Sequence, residues 1–260
     1  MSVAWAKRGW QIGITDIDMA RAAETLDLVE RWGGTGETWE CDVRDRDQVR
    51  AMADHFFDAW RQVGVIALNA GVADVGYVGE IRPEDWKREI DTGIWGLIHG
   101  CDAFIPRMKE QGRGHVAITA SAAGLVALPE MAPYNMIKAA AVSLAETLRV
   151  ELAPFGLGVT VICPTFFKTH LLDTMTYTDE WEAEFAHAAF DHSRLTADRV
   201  AEMAVEAAER DKLYVVTGQP TWILKRINPS LFSRAMAGLV RLGVGKPLFM
   251  WMARHGILGT

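Results

Sequence analysis

Short β-branched or apolar runs alternate along this chain with longer stretches of helical periodicity, and that alternation most narrows the folds open to it. WQIGIT (10–15), GETWEC (36–41), VGVIALN (63–69), HVAITA (115–120), GVTVIC (158–163) and LYVV (213–216) read as strands. Between them lie helical patterns near 18–32, 45–62, 84–110, 132–153 and 197–210. The arrangement predicts βαβ units on a parallel sheet, an α/β fold. Helix ends carry their own signals. Asp45 followed three residues later by Gln48 resembles a capping box, Asp18 is placed to cap the next helix, and Pro83 sits where a first turn tolerates it. Gly156 marks the end of the pattern that begins at 132. With 260 residues, half of them apolar, and no repeat or low-complexity linker, a single domain is expected.

Charge and cysteine usage exclude several classes. A net charge of −7 and the lack of an Arg-rich or Lys-rich tract with interleaved aromatics argue against nucleic acid as a partner. Cys41, Cys101 and Cys163 are few and far apart, as buried free thiols of a reducing, cytoplasmic compartment would be. The histidines make no H-E-x-x-H and no pair at ligand spacing, so no metal site is expected. The N-terminus lacks a signal-peptide core, and the most apolar late stretch is interrupted by Arg241, Lys246 and Pro247, which argues against a membrane span. From Lys212 to Thr260 there are seven Lys or Arg and no Asp or Glu. This basic, apolar tail, with Trp222, Phe232, Phe249 and Trp251, suits a helical lid, a subunit contact or a segment lying on anionic lipid. Packing on the acidic body or on a second subunit is preferred over membrane contact.

The chemistry is concentrated in PYNMIKAAAVSLAETL, where Tyr134 and Lys138 stand four residues apart, with Ser121 thirteen residues before the tyrosine. Positions i and i+4 share a helix face, so phenol and ammonium can enter one cleft. A free tyrosine titrates near ~10, and drawing it down by about 3 units takes roughly 4 kcal/mol of preference for the phenolate. The lysine is the expected source.

These residues, with LNAG (68–71) and CPTFFKT (163–169), resemble the classical short-chain dehydrogenase/reductase family over Met1 to about Thr217. The resemblance implies a Rossmann sheet with a nicotinamide dinucleotide across the carboxyl ends of its strands. It implies that Ser121 hydrogen-bonds a substrate carbonyl or alcohol, that Tyr134 passes the proton, and that Lys138 stabilises the phenolate and holds the nicotinamide ribose. The cofactor positions carried over are Asn69, Ala70 and Gly71 in the N-A-G turn, and Pro164, Phe167 and Thr169 after the sixth strand. Asp42 and Val43 match the adenine cradle. Asp16, closing WQIGIT, can accept from both adenosine ribose hydroxyls and repel a 2′-phosphate, which points to NAD.

The sequence departs from the family pattern at three places. Gly93 stands where the family has a catalytic asparagine, keeping the backbone carbonyl but losing the side chain, so an altered proton relay is expected. Thr165 replaces the glycine after Pro164. The glycine-rich T-G-x-x-x-G-x-G turn and the first strand have no counterpart, and Met1 aligns within the family's first helix. The expectation is a misassigned start or a truncation, with roughly 20 or more residues upstream on the family pattern. The strands flanking the missing one would then lie ~9.6 Å apart.

The resulting plan places a Rossmann-like domain at 1–217, with a variable substrate loop at about 170–195, and a C-terminal extension at 218–260. Leu171, Leu172, Met175, Trp181, Phe185 and Phe190 are candidate walls for a hydrophobic secondary alcohol or ketone, such as a steroid, lipid or aromatic alcohol. A homodimer or homotetramer is expected. The alternative function is a catalytically impaired homologue serving as a binding or scaffold subunit.

Overall fold

In the computed structural model, which describes residues 1–218 and 221–259, all six sequence-read strands form within a residue or two of their predicted limits. In chain order the elements are α1 (Ser2–Ala6), β1 (Gln11–Asp16), α2 (Met19–Arg31), β2 (Thr35–Glu40), α3 (Arg46–Trp60), β3 (Val65–Leu68), β4 (Asp74–Val75), α4 (Pro83–Ile90) and α5 (Gly96–Gln111). There follow β5 (Gly114–Thr119), α6 (Ala122–Leu125), α7 (Ala132–Leu152), β6 (Leu157–Cys163), β7 (Thr176–Tyr177), α8 (Glu180–Asp191), α9 (Ala197–Glu209) and β8 (Tyr214–Val216). The tail supplies α10 (Thr221–Ile227), α11 (Pro229–Arg241) and α12 (Gly245–Arg254).

The main sheet is parallel, in the order β3-β5-β6-β8, and β1 pairs with β2 in a separate parallel ladder. Val116 and Ile118 on β5 and Val159 and Val161 on β6 are fully buried, the apolar signature of strands covered on both faces. α3, α5 and α7 pack one face, while α1, α2 and α9 pack the other. Among the described residues no ladder joins β1 to β3. Residues of both strands line one cavity, and aromatic rings border it: a Cβ on Gly64 would sit 2.3 Å from the Trp10 ring, and one on Gly13 2.6 Å from Phe56. Both glycines let these rings press against backbone.

Local details refine three expectations. Asp18 caps α2 by accepting from Ala20 and Arg21 N–H, and Asp45 caps α3 by accepting from Asp47 and Gln48 N–H. The reciprocal half of the predicted box does not form, because Gln48 Oε1 accepts instead from the Asp42 N–H at 2.9 Å, tying the helix to the loop after β2. The predicted 84–110 helix is divided into α4 and α5 by a π turn at Asp91–Trp95. Gly93 lies buried in that turn, and a Cβ there would meet Ile137 Cγ2 of α7 at 2.4 Å. The wide turn and the missing side chain together let α7 approach closely.

The tail folds back on the body. α12 packs against α8, and the Gly259 carbonyl accepts from the Arg194 and Leu195 N–H groups. The Trp222 side chain lies outside the described residues.

Candidate active site

Ser121 follows β5 at the carboxyl edge of the sheet, in extended conformation, where it caps α6 by accepting from the Ala123 N–H. Tyr134 sits in the first turn of α7 and Lys138 one turn later, with its Nζ 5.5 Å from the Tyr134 ring centroid. α6 is pinned to α7 by Gly124, where a Cβ would stand 2.4 Å from the Lys138 carbonyl oxygen. That contact brings the serine segment onto the tyrosine helix, so the three side chains share one cleft.

The electrostatics differ from the expectation of a phenol tuned by its lysine. Burial pushes Tyr134 up to about 12, outweighing the hydrogen bond from Ser121, which acts downward. Burial draws Lys138 down to about 8, and its ammonium donates to the Thr119 carbonyl at 3.0 Å. In this structure, then, the protein's own groups hold the phenol protonated. The physical reason is that desolvation penalises the phenolate more than one hydrogen bond favours it, while the lysine is aimed at the end of β5.

Every carried-over cofactor position lines the same cleft of about 1110 Å³: Asp16, Asp42, Val43, Asn69, Ala70, Gly71, Pro164, Phe167 and Thr169. Asp16 ends β1 and accepts from the Asp18 N–H at 2.9 Å through Oδ1. Asn69 accepts from the Thr119 hydroxyl at 2.9 Å, which fastens the N-A-G turn to β5. A Cβ on Gly71 would lie 3.4 Å from Lys138 Nζ, so this turn keeps open a cradle that a side chain would fill. The Asp42 carboxylate is gripped by Arg44, whose Nε and backbone N–H both donate to Oδ1 at 2.9 Å, and this pairing holds Asp42 below the usual carboxylate range. Thr165 turns toward the tail end of the sheet, donating its N–H to Thr217 Oγ1 and packing its methyl where a Cβ on Gly218 would sit.

Of the six predicted substrate-wall residues, Leu171, Met175 and Phe190 line the cleft and Leu172, Trp181 and Phe185 do not. Trp181 stacks on Phe185 at 5.3 Å, and the Lys246 ammonium lies 4.3 Å from the Trp181 ring, so that face of α8 is spent on packing against the tail. Residues distant in sequence complete the wall: Phe232 and Met236 of α11, and Phe249 and Met252 of α12. Phe232 and Phe249 belong to the tail for which a helical lid was one of the expected placements, and Met236 and Met252 join them there.

A helix-covered parallel sheet with serine, tyrosine and lysine gathered at the carboxyl edge defines a dinucleotide-fold oxidoreductase. The chain belongs to the short-chain dehydrogenase family, whose profile matches residues 1–180. It is 30% identical over 249 residues to the putative oxidoreductase SadH of Mycobacterium tuberculosis, covering 93% of this chain and 88% of SadH. It is 29% identical over 220 residues to the probable oxidoreductase EphD of the same species, but those cover 81% of this chain and only 37% of that longer relative. Among solved structures, a short chain dehydrogenase/reductase from Burkholderia phymatum in complex with NAD aligns with a TM-score of 0.79 and 28% identity, over 93% of this chain and 90% of the other.

Proposed function

We propose that this oxidoreductase moves a hydride between NAD(H) and a hydrophobic secondary alcohol or ketone, with Ser121, Tyr134 and Lys138 as its catalytic residues. The observation that carries this reading is the convergence of the three side chains on one cleft whose far wall is apolar. When bound, the nicotinamide supplies or accepts the hydride. The open cradle at Gly71 and the carboxylate at the end of β1 fit the two ends of such a dinucleotide. Asp16 would accept from the adenosine ribose hydroxyls, Asp42 and Val43 would flank the adenine, and Asn69 to Gly71 would follow the groove. Pro164, Phe167 and Thr169 would close it, while Lys138 would hold the nicotinamide ribose.

The side chains then divide the proton work. Ser121 hydrogen-bonds the substrate oxygen and orients it toward Tyr134, whose phenol donates a proton in ketone reduction and takes one back in alcohol oxidation. Lys138, one helical turn from the phenol, would supply the positive charge that favours its ionised form during turnover. Asp16 repels a 2′-phosphate, which supports NAD over NADP. The substrate end, walled by Leu171, Met175, Phe190, Phe232, Met236 and Phe249, favours an apolar alcohol and excludes water from the reacting atoms.

Calorimetric titration with NADH and NADPH, followed by turnover of a panel of steroid, aliphatic and aromatic alcohols, tests the reading. Saturable NADH binding with turnover that Tyr134→Phe abolishes is expected. Equal turnover by Tyr134→Phe would overturn the proton role, and cofactor binding without turnover of any alcohol or ketone would favour a binding subunit.

A further inference from the structure

Asp74 and Glu89 are buried acids, 0 % and 1 % exposed, on β4 and α4, and both elements pack against α7. One oxygen of each carboxyl is well used. Asp74 Oδ1 is ion-paired with the Arg88 guanidinium and accepts from the Thr176 hydroxyl at 2.5 Å. Glu89 Oε1 accepts from the Asp74 backbone N–H at 2.7 Å. The other oxygens, Asp74 Oδ2 and Glu89 Oε2, are fully buried and receive no donor from the protein.

Two ionised carboxylates set against a single arginine would leave a net charge out of water and two bare acceptors, a strongly unfavourable arrangement. One proton resolves both problems. The two carboxyls stand within hydrogen-bonding reach of each other, so a proton on Glu89 would donate to Asp74, and the cluster of Arg88, Asp74 and neutral Glu89 would then carry no net charge. The proton belongs on Glu89 because Arg88 and Thr176 already stabilise negative charge on Asp74. Burial and the Asp74 charge together push Glu89 up to about 8.

Glu89 also bears on the candidate catalytic pair. It lies one helical turn before Gly93, the residue that touches Ile137 between Tyr134 and Lys138, so it shares the α7-facing side of its helix. An ionised Glu89 raises both Tyr134 and Lys138. The charged and titratable groups that act on it are Asp74 on β4 and Arg88 on its own helix, and it acts in turn on Tyr134 and Lys138 of α7.

We propose that Asp74 and Glu89 share a single proton across their free oxygens, and that Glu89 is a positioning residue for the proton chemistry of Tyr134 and Lys138. It is neutral while the site works and opposes phenolate formation once ionised. The inference rests on the assignment of Tyr134 as the proton donor, but its test does not need turnover.

Infrared titration of the chain with isotope-labelled glutamate follows the Glu89 carboxyl, and NMR of lysine labelled at Cε follows Lys138. The expected wild-type result is a protonated glutamate carboxyl band that disappears near pH 8 and is absent in Glu89→Gln. Glu89→Gln keeps a carbonyl for the Asp74 N–H and offers an amide donor to Asp74 Oδ2, so it is expected to fold. It should lower the Lys138 midpoint by about half a pH unit or more. Asp74→Asn should move the Glu89 band toward ordinary carboxylate pH, since the repelling charge is gone and Arg88 is released to face Glu89. A wild-type band that titrates in the ordinary carboxylate range, or a Lys138 midpoint unmoved in a folded Glu89→Gln, would overturn the proposal. Full activity in Tyr134→Phe would instead overturn the catalytic assignment and leave these titrations standing.

Discussion

Gly93→Ala sets two opposing effects against each other, and the structure predicts which wins. On helix propensity alone alanine should stabilise an interior position by about 1 kcal/mol over glycine. The new Cβ, however, would lie 2.4 Å from Ile137 Cγ2, where carbon atoms prefer about 3.5–4.0 Å. Ile137 is 3% exposed and branched at Cβ, so its methyl has no free rotamer to swing into. Overpacking of this kind costs about 1–3 kcal/mol, enough to cancel the propensity gain and leave a net loss of up to about 2 kcal/mol. Because Ile137 lies between Tyr134 and Lys138, its recoil disturbs both, and turnover should fall with stability. Urea denaturation measures the loss, and Ile137→Leu, which moves the branch away from Cβ at nearly constant volume, should recover most of it in a double-mutant cycle. A Gly93→Ala chain more stable than its parent by the full propensity gain of about 1 kcal/mol, or a cycle with no coupling, would refute the reasoning. Gly93→Asn, which restores the family's side chain, should likewise fail to improve activity, since its Cβ meets the same methyl.

Glu89 gives a linkage prediction. Its native proton affinity is raised from 4.5 to about 8, so its contribution to stability is full below pH 4.5 and is lost as pH rises through 8. The loss over that window is about 4–5 kcal/mol at 1.36 kcal/mol per unit. Urea melts at pH 5, 7 and 9 should therefore show Glu89→Gln gaining steadily on the wild type, and parallel curves would contradict the buried-proton account. Asp16→Ala should weaken NADH binding at least about tenfold by removing charge-assisted hydrogen bonds, with little effect on NADPH, as read by calorimetry. Phe232→Ser and Met236→Ser should raise KM for apolar alcohols about tenfold or more while leaving NADH affinity unchanged, because these cleft-lining side chains belong to the substrate end on the proposed reading.

Much of this protein was legible from local pattern. The strands and the caps at Asp18 and Asp45 follow from side-chain periodicity and from hydrogen bonds spanning two or three residues, which neighbours in sequence determine. The Tyr134–Lys138 pair is legible for the same reason, since helix geometry alone puts i and i+4 on one face. The π turn at Asp91–Trp95 was not visible, because it answers to Ile137, more than forty residues away. The protonation of the site answers to more than spacing, which brings the lysine near the tyrosine: burial pushes the phenol up to about 12. A helical lid was one of several placements open to the tail, and only the fold brings Phe232 and Phe249 to the cleft that Leu171 also lines. What the sequence alone determined were the elements and the chemical types present. Tertiary structure decided which groups lose water together, and because desolvation acts on whatever is brought into contact, it determined the proton affinities and the cleft they serve.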